Sequence, residues 1–187
     1  MRIIAGIARG QPLAVPRGGN VRPTSDRVRE AIFSSLGERV PGASVLDLFA
    51  GTGALGLEAA SRDAQSVTFV ENAAPVLRCL NDNIESFRRN RPVSCEIAIV
   101  RGEVDAQLRK LAGRAFSLIF ADPPYGDAAQ GLIENDALPA TLAVDGLLVL
   151  ESAKRNVLVL PAGWSVHREA VYGDTRVNFL RRRPELG

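Results

Sequence analysis

At 187 residues, with 46% apolar side chains, 24% charged ones and a formal net charge of +2, the chain suits one globular domain with a full core. No apolar run approaches the ~18 residues of a membrane span. The opening Met1–Arg9 stretch is too short in its apolar part, and too soon interrupted by Arg9, for a secretory signal. Cys79 and Cys95 stand apart without a C-x-x-C spacing, which argues against a zinc site or a disulfide scaffold, so a cytoplasmic protein without a metal is expected.

The charge is uneven. Residues 1–30 carry six arginines against Asp26 and Glu30, a local +4, so the other 157 residues sum to −2. Arg2 to Asn20 reads as an irregular arm or hairpin. Its cations and those just after it, Arg9, Arg17, Arg22 and Arg27, are candidate contacts to nucleic-acid phosphates, because arginine pairs bidentately with phosphate and stacks on bases. Solvated surface charge is the alternative. Arg181-Arg182-Arg183, at the end of the last strand, reads as a solubilising run.

A helix is expected from about Ser25 to Glu38, with Asp26 complementing its dipole and Val28, Ile32 and Leu36 at helical spacing. Pro41-Gly42 breaks the chain before the buried strand Ser44–Phe49. Ala50-Gly51-Thr52-Gly53-Ala54-Leu55-Gly56 follows at once and continues as a helix to about Arg62. Gly51, Gly53 and Gly56 thus satisfy G-x-G-x-x-G in the strand-to-helix setting that a nucleotide-binding βαβ unit requires; alone, the triplet would be only a tight turn. The next strand, 66–70, ends in Glu71, 20 residues beyond Gly51, where such a unit keeps the acid that grips both ribose hydroxyls.

The same fingerprint serves nicotinamide cofactors. A pyrophosphate wants a helix N-terminus free of carboxylates, and Asp47 just before the turn repels it. S-adenosylmethionine has no phosphate and carries two cations, a sulfonium and an ammonium. Asp47 suits the ammonium and Glu71 the ribose, with Phe49, Gly51 and Gly53 as further candidate cofactor contacts. A helix near 74–89, in which Cys79 reads as core packing, leads to a strand near 96–100. Glu103 then stands where an acid can reach the adenine amino group, or is merely a first-turn acid of the helix 103–111.

The strand 116–121 delivers Asp122-Pro123-Pro124-Tyr125. The prolines fix φ near −65° and lack an N–H, so the carbonyls of Asp122 and Pro123 can face a ligand. An exocyclic amine can give one hydrogen to the Asp122 carboxylate and the other to a carbonyl, while Tyr125 stacks on the base, a contact of about 1–3 kcal/mol. A strand-end turn with a packing tyrosine is the plainer alternative. A helix near 128–138, the strand 146–151 and two strands near 164–171 and 175–182, turned at Tyr172-Gly173-Asp174, complete the chain. The whole is an α/β doubly wound, seven-stranded sheet with an antiparallel C-terminal hairpin and a small N-terminal extension. Asp47, Glu71 and Asp122 all fall at the carboxyl ends of strands, where ligands bind. Residues 1–40 form the basic arm or hairpin and first helix, and 41–187 one compact catalytic unit.

Asp47-x-Phe49-x-Gly51-x-Gly53-x-x-Gly56, Glu71 and Asp122-Pro123-Pro124-Tyr125 resemble the signature motifs of class I (Rossmann-like) methyltransferases acting on exocyclic amines of nucleic acids. Arg22-Pro23-Thr24-Ser25-Asp26-Arg27-Val28-Arg29-Glu30-Ala31-Ile32-Phe33 narrows this: it resembles the N-terminal motif of the RsmD family, bacterial guanine-N2 methyltransferases of small-subunit (16S) ribosomal RNA. Arg2-Ile3-Ile4-Ala5-Gly6 and Trp164-Ser165-Val166-His167-Arg168-Glu169 are similar to that family too. The resemblance implies S-adenosyl-L-methionine as cofactor and an assembling or assembled small subunit as partner, acted on by a monomer. Asp122, Pro123 and Tyr125 are then the catalytic set, and Asp47, Phe49, Gly51, Gly53, Glu71 and Glu103 the cofactor set. A DNA adenine-N6 methyltransferase fits the same tetrapeptide, although 187 residues leave no room for a separate target-recognition domain. A non-catalytic RNA-binding assembly factor is the remaining class. Neither cysteine lies beside the tetrapeptide in sequence, so a covalent route lacks its nucleophile. His167, the only histidine, reads as surface or packing.

Overall fold

Strands whose two faces are both apolar must be covered on both sides, and this chain supplies a helix after each of its early strands to do so. The computed structural model describes residues 1–16, 25–90, 94–124 and 126–183, so Arg17, Arg22 and Tyr125 lie outside the described residues. The strands are β1 (Ser44–Leu48), β2 (Ser66–Glu71), β3 (Glu96–Arg101), β4 (Phe116–Ala121), β5 (Leu142–Ala153), β6 (Trp164–Tyr172) and β7 (Thr175–Arg182). They form one sheet in the order β3-β2-β1-β4-β5-β7-β6. The first five run parallel, and β7 pairs antiparallel with both β5 and β6. The chain order reverses between β1 and β4, which opens a crevice at their carboxyl ends.

Two cores flank this sheet. On one face α1 (Asp26–Leu36), α2 (Ala54–Ser61) and α3 (Ala74–Asn90) pack on Val45, Val67, Phe69, Leu118 and Phe120. On the other, α4 (Val104–Leu111), α5 (Ala128–Ile133) and α6 (Leu138–Thr141) cover Leu46, Leu48, Ile119, Leu148 and Leu150. Helix α1 starts where the Ser25 hydroxyl accepts from the Val28 N–H at 3.3 Å, and it stops at Gly37, whose φ of +50° ends the helical path.

The N-terminal arm is built into the body. Arg2 and Pro12 bridge antiparallel, and Ile3, Ala8 and Leu13 join the core beside Leu57 and Phe69. The buried Glu58 carboxylate accepts from the amides of Ile4 (2.7 Å) and Ala5 (3.0 Å), and Asn83 accepts from Ala14 N–H at 2.8 Å. Buried Arg29 donates to the Arg2 carbonyl and to Asp26, tying α1 to the arm.

Two elements differ from their sequence-based bounds. The helix expected to run to Leu138 stops at Ile133: the Asn135 side chain accepts from Ala137 N–H at 2.9 Å, and Pro139 begins a separate turn of helix. Strand β5 begins at Leu142 rather than Gly146, because Leu142 already pairs with Phe116 before the register shifts to Leu118–Leu147.

Candidate active site

The crevice is a cavity of about 1380 Å³ at the carboxyl ends of the parallel strands. Its walls come from several elements: Ser25 and Arg27 from the start of α1, Phe49 and Gly51 after β1, Glu71 at the end of β2 and Asn72 just beyond it. Glu103 follows β3, Asp122 and Pro123 follow β4, and the β5 end and the β6–β7 turn close the far side. Single-ligand pockets run to about 300–1,000 Å³. This one has room for a nucleoside-sized ligand and a second group beside it.

The glycine loop is held by two acids. The carboxylate of Glu71 accepts from Gly51 N–H at 3.0 Å, and its other oxygen accepts from the amides of Asn72 (2.8 Å) and Ala73 (2.9 Å). Asp47 accepts from Gly56 N–H at 2.9 Å. Strand alternation puts Asp47 on the same face as Val45, beneath α2, so only 2% of it reaches solvent. It lies under the loop and does not line the cavity, whereas the sequence reading gives it the cofactor's ammonium. Burial pushes its carboxyl up to about 8, with Asp122 and Glu71 nearby adding to the rise and the Gly56 hydrogen bond opposing it.

These bonds bear on the ligand. The Gly51 amide, at the edge of the crevice, is already taken by the Glu71 carboxylate, and the Gly53 amide, next to where a dinucleotide's pyrophosphate would lie, is taken by the Ala50 carbonyl. Gly51 has φ of +56°, and a Cβ built on it meets nothing nearer than the Phe49 carbonyl at 3.8 Å, so the backbone there is laid open to the cavity. Gly53 and Gly56 serve packing instead: a Cβ at either would press on Leu80 or Phe69. Phe49 itself holds φ of +55°, a sparsely populated conformation for a bulky residue that costs of order 1–3 kcal/mol. Its ring lines the cavity beside Gly51.

Of the residues singled out in the sequence, the cavity gathers Phe49, Gly51, Glu71, Glu103, Asp122, Pro123 and Arg27. It does not gather Asp47 or Gly53, nor Arg9, which is exposed in a turn seated on the C-terminal end of α2, where the adjoining Ala8 N–H bonds the Ser61 hydroxyl. Asn72, Lys154, Arg155 and Tyr172 also line the cavity and carry no motif. Asn72, whose amide donates to Glu103, had one signal: it directly follows the ribose-type acid. Neither cysteine lines the cavity. Cys79 donates to the Ala14 carbonyl, and burial pushes the Cys95 thiol up to about 11, so neither is a ready thiolate.

A curated Escherichia coli K12 protein, ribosomal RNA small subunit methyltransferase D, is 35% identical over 190 aligned residues, covering 99% of this chain and 91% of its own. The protein of the same name from Haemophilus influenzae is 34% identical, covering 92% and 89%. The family model described as conserved hypothetical protein 95 matches residues 1–181. The chain belongs to the RsmD family of methyltransferases. The RsmD-family assignment extends to the fold: the solved structure of the Escherichia coli protein yhhF superposes with a TM-score of 0.80 at 34% identity, covering 97% of both chains. The sheet is the class I Rossmann-like one, with the antiparallel hairpin that the sequence suggests.

Proposed function

We propose that this chain transfers a methyl group from S-adenosylmethionine to the exocyclic N2 of a guanine in small-subunit ribosomal RNA, in an assembling or assembled subunit of the bacterial cytoplasm. The observation that carries the reading is that one hollow holds both a ribose-type acid, Glu71, and the Asp122-Pro123 pair, with volume left for a base. The relatives' names supply the class of RNA. The cofactor fits the residues present: a crevice whose Gly51 and Gly53 amides are already satisfied, with the Glu71 carboxylate at its edge, suits a cationic, phosphate-free nucleoside better than a dinucleotide. In this reading Glu71 takes the ribose hydroxyls, Phe49 and Gly51 the adenosine, and Glu103 with Asn72 the adenine edge, all of them lining the one cavity.

When bound, the cofactor supplies a methyl already activated by a positive sulfur. The chain's own residues then do the aligning, since an aryl amine is a weak nucleophile with a conjugated lone pair. Asp122 accepts one amine hydrogen and the Pro123 carbonyl accepts the other, which leaves the nitrogen lone pair directed along the transfer axis. Positioning of this kind is worth about 7–11 kcal/mol. Asp122 also stabilises the charge that develops on nitrogen, and the proton leaves late, to Asp122 or to water. Tyr125 is assigned the base stack, and Asp47 the support of the loop from below. The test is mass spectrometry of small-subunit RNA from a strain lacking this chain, before and after purified protein and cofactor are added to its subunits. A missing methyl on one guanine N2, restored by the protein, is the expected result, and an unchanged RNA overturns the reading.

A further inference from the structure

Apart from Arg27 of α1, the cavity's cations gather on one side of the sheet. Glu71 and Glu103 stand at the β2–β3 side, whereas Lys154, Arg155 and Arg176 stand at the β5–β7 side beside the acids Glu151 and Asp174, with Asp122 between. The carboxylate half suits a cationic cofactor. The other half is the part of the hollow that a single nucleoside leaves over.

Its cations sit on a pinned turn. Lys154 N–H donates to the Asp174 carbonyl at 2.7 Å, and Asn156 N–H closes back on Ala153 at 2.8 Å. The Arg176 guanidinium donates to the Lys154 carbonyl at 3.1 and 3.3 Å and pairs with Glu169, so its own charge is engaged. The Asn156 amide donates to the Gly126 carbonyl at 3.0 Å, which fixes the turn against the loop that carries Asp122 and Pro123. Lys154 and Arg155 are both exposed, and among the described residues no ion pair engages either. Two uncommitted cations are therefore held at a set position beside the reacting group, and Tyr172 adds an aromatic wall on the same side.

We propose that the Ala153–Asn156 turn grips the RNA backbone, with Lys154 and Arg155 on phosphates that flank the target base. This rests on the reading of the chain as an RNA methyltransferase and adds a substrate contact on the C-terminal side of the sheet. Arg9 of the N-terminal arm, by contrast, does not line the cavity. Each phosphate contact releases counterions, so log K falls with log salt by about 0.9 per contact, which at 0.1 M salt is close to tenfold in affinity.

The experiment is a salt titration of small-subunit binding for wild type, for Lys154→Ala/Arg155→Ala and for Arg9→Ala, with cofactor affinity as the check of folding. The double variant is expected to bind about tenfold or more weakly at 0.1 M salt, with a slope shallower by about one to two and an unchanged cofactor affinity. A second measurement needs no variant. Lys154 and Lys110 are the only lysines in the chain, and both are exposed, Lys110 on α4. RNA should protect Lys154 from acylation and leave Lys110 reactive. If wild type methylates subunits while the double variant keeps the full slope, or Lys154 stays as reactive with RNA as without it, the turn is not a contact and the inference is overturned alone. If wild type neither binds nor methylates RNA, the methyltransferase reading itself falls, and this inference with it.

Discussion

The carboxylate of Glu71 reaches back to the amide of Gly51 at 3.0 Å, so the residue assigned to the ribose is also the clasp of the loop on which the nucleoside rests. Glu71→Ala is expected to weaken cofactor binding by about 1–3 kcal/mol, the scale of hydrogen bonds to a charged group. Glu71→Gln should lose less, because its amide oxygen can still accept from Gly51. Calorimetry with S-adenosylmethionine, its demethylated product and NAD checks this. Tight NAD binding, or an unaltered affinity in the alanine variant, would sink the assignment.

Asp122 and the Pro123 carbonyl face the acceptor base in this reading. Asp122→Ala should therefore nearly abolish methyl transfer while cofactor affinity stays close to wild type. The deciding measurement is the single-turnover rate: if most of it survives, Asp122 is only a turn residue.

Asp47 gives a pH signature. Its folded carboxyl titrates near 8 against an ordinary 3.8, so between these values the folded state holds a proton that the unfolded chain has released. Stability from this group is thus fully present below about pH 4 and lost as pH rises toward about 8. Asp47→Asn keeps an acceptor for Gly56 N–H without the buried charge. Its Tm should match wild type near pH 4, exceed it increasingly up to about pH 8 and hold that gap above, as thermal melts across this range will show. A gap that shrinks with rising pH would contradict the burial of a protonated acid.

The two outer glycines of the motif should separate fold from function. A Cβ at Gly56 would lie 2.3 Å from Phe69 Cε1 and 2.8 Å from Val67, so Gly56→Ala is expected to destabilise by about 1–3 kcal/mol through overpacking. Gly51→Ala meets no such neighbour and pays mainly for its positive φ, about 1–2 kcal/mol. Its methyl instead enters the cofactor half of the cavity. Denaturant melts and cofactor titration should show the larger stability loss for Gly56→Ala and the larger affinity loss, relative to stability, for Gly51→Ala.

Legibility in the sequence followed the strength of the local signal. The parallel strands stood out because burial on both faces writes apolar runs such as Leu118–Ala121. The early start of β5 did not, since Asp145-Gly146 interrupts the apolar run and only the pairing of Leu142 with Phe116 makes the segment a strand. In the site, the acids at strand ends were readable as to place. Whether a strand-tip carboxylate faces the cavity or lies under the loop depends on which face it shares with the following helix, and that separated Asp47 from Glu71. Lys154 and Arg155 carried no motif; only their place just after β5, at the carboxyl end of a parallel strand, could have pointed to them.

Strand β7 lies between β5 and β6, although it is the last of the seven to be made. Without Thr175–Arg182 paired to it, β5 has a bare edge and the far wall of the cavity, from Val171 to Arg176, has nothing to stand on. Strand β6 thus joins the sheet only through its hairpin partner β7. A nascent chain that already carries every acid of the glycine-loop half still cannot enclose a substrate, and a chain cut before Thr175 should lose both its sheet edge and its activity together.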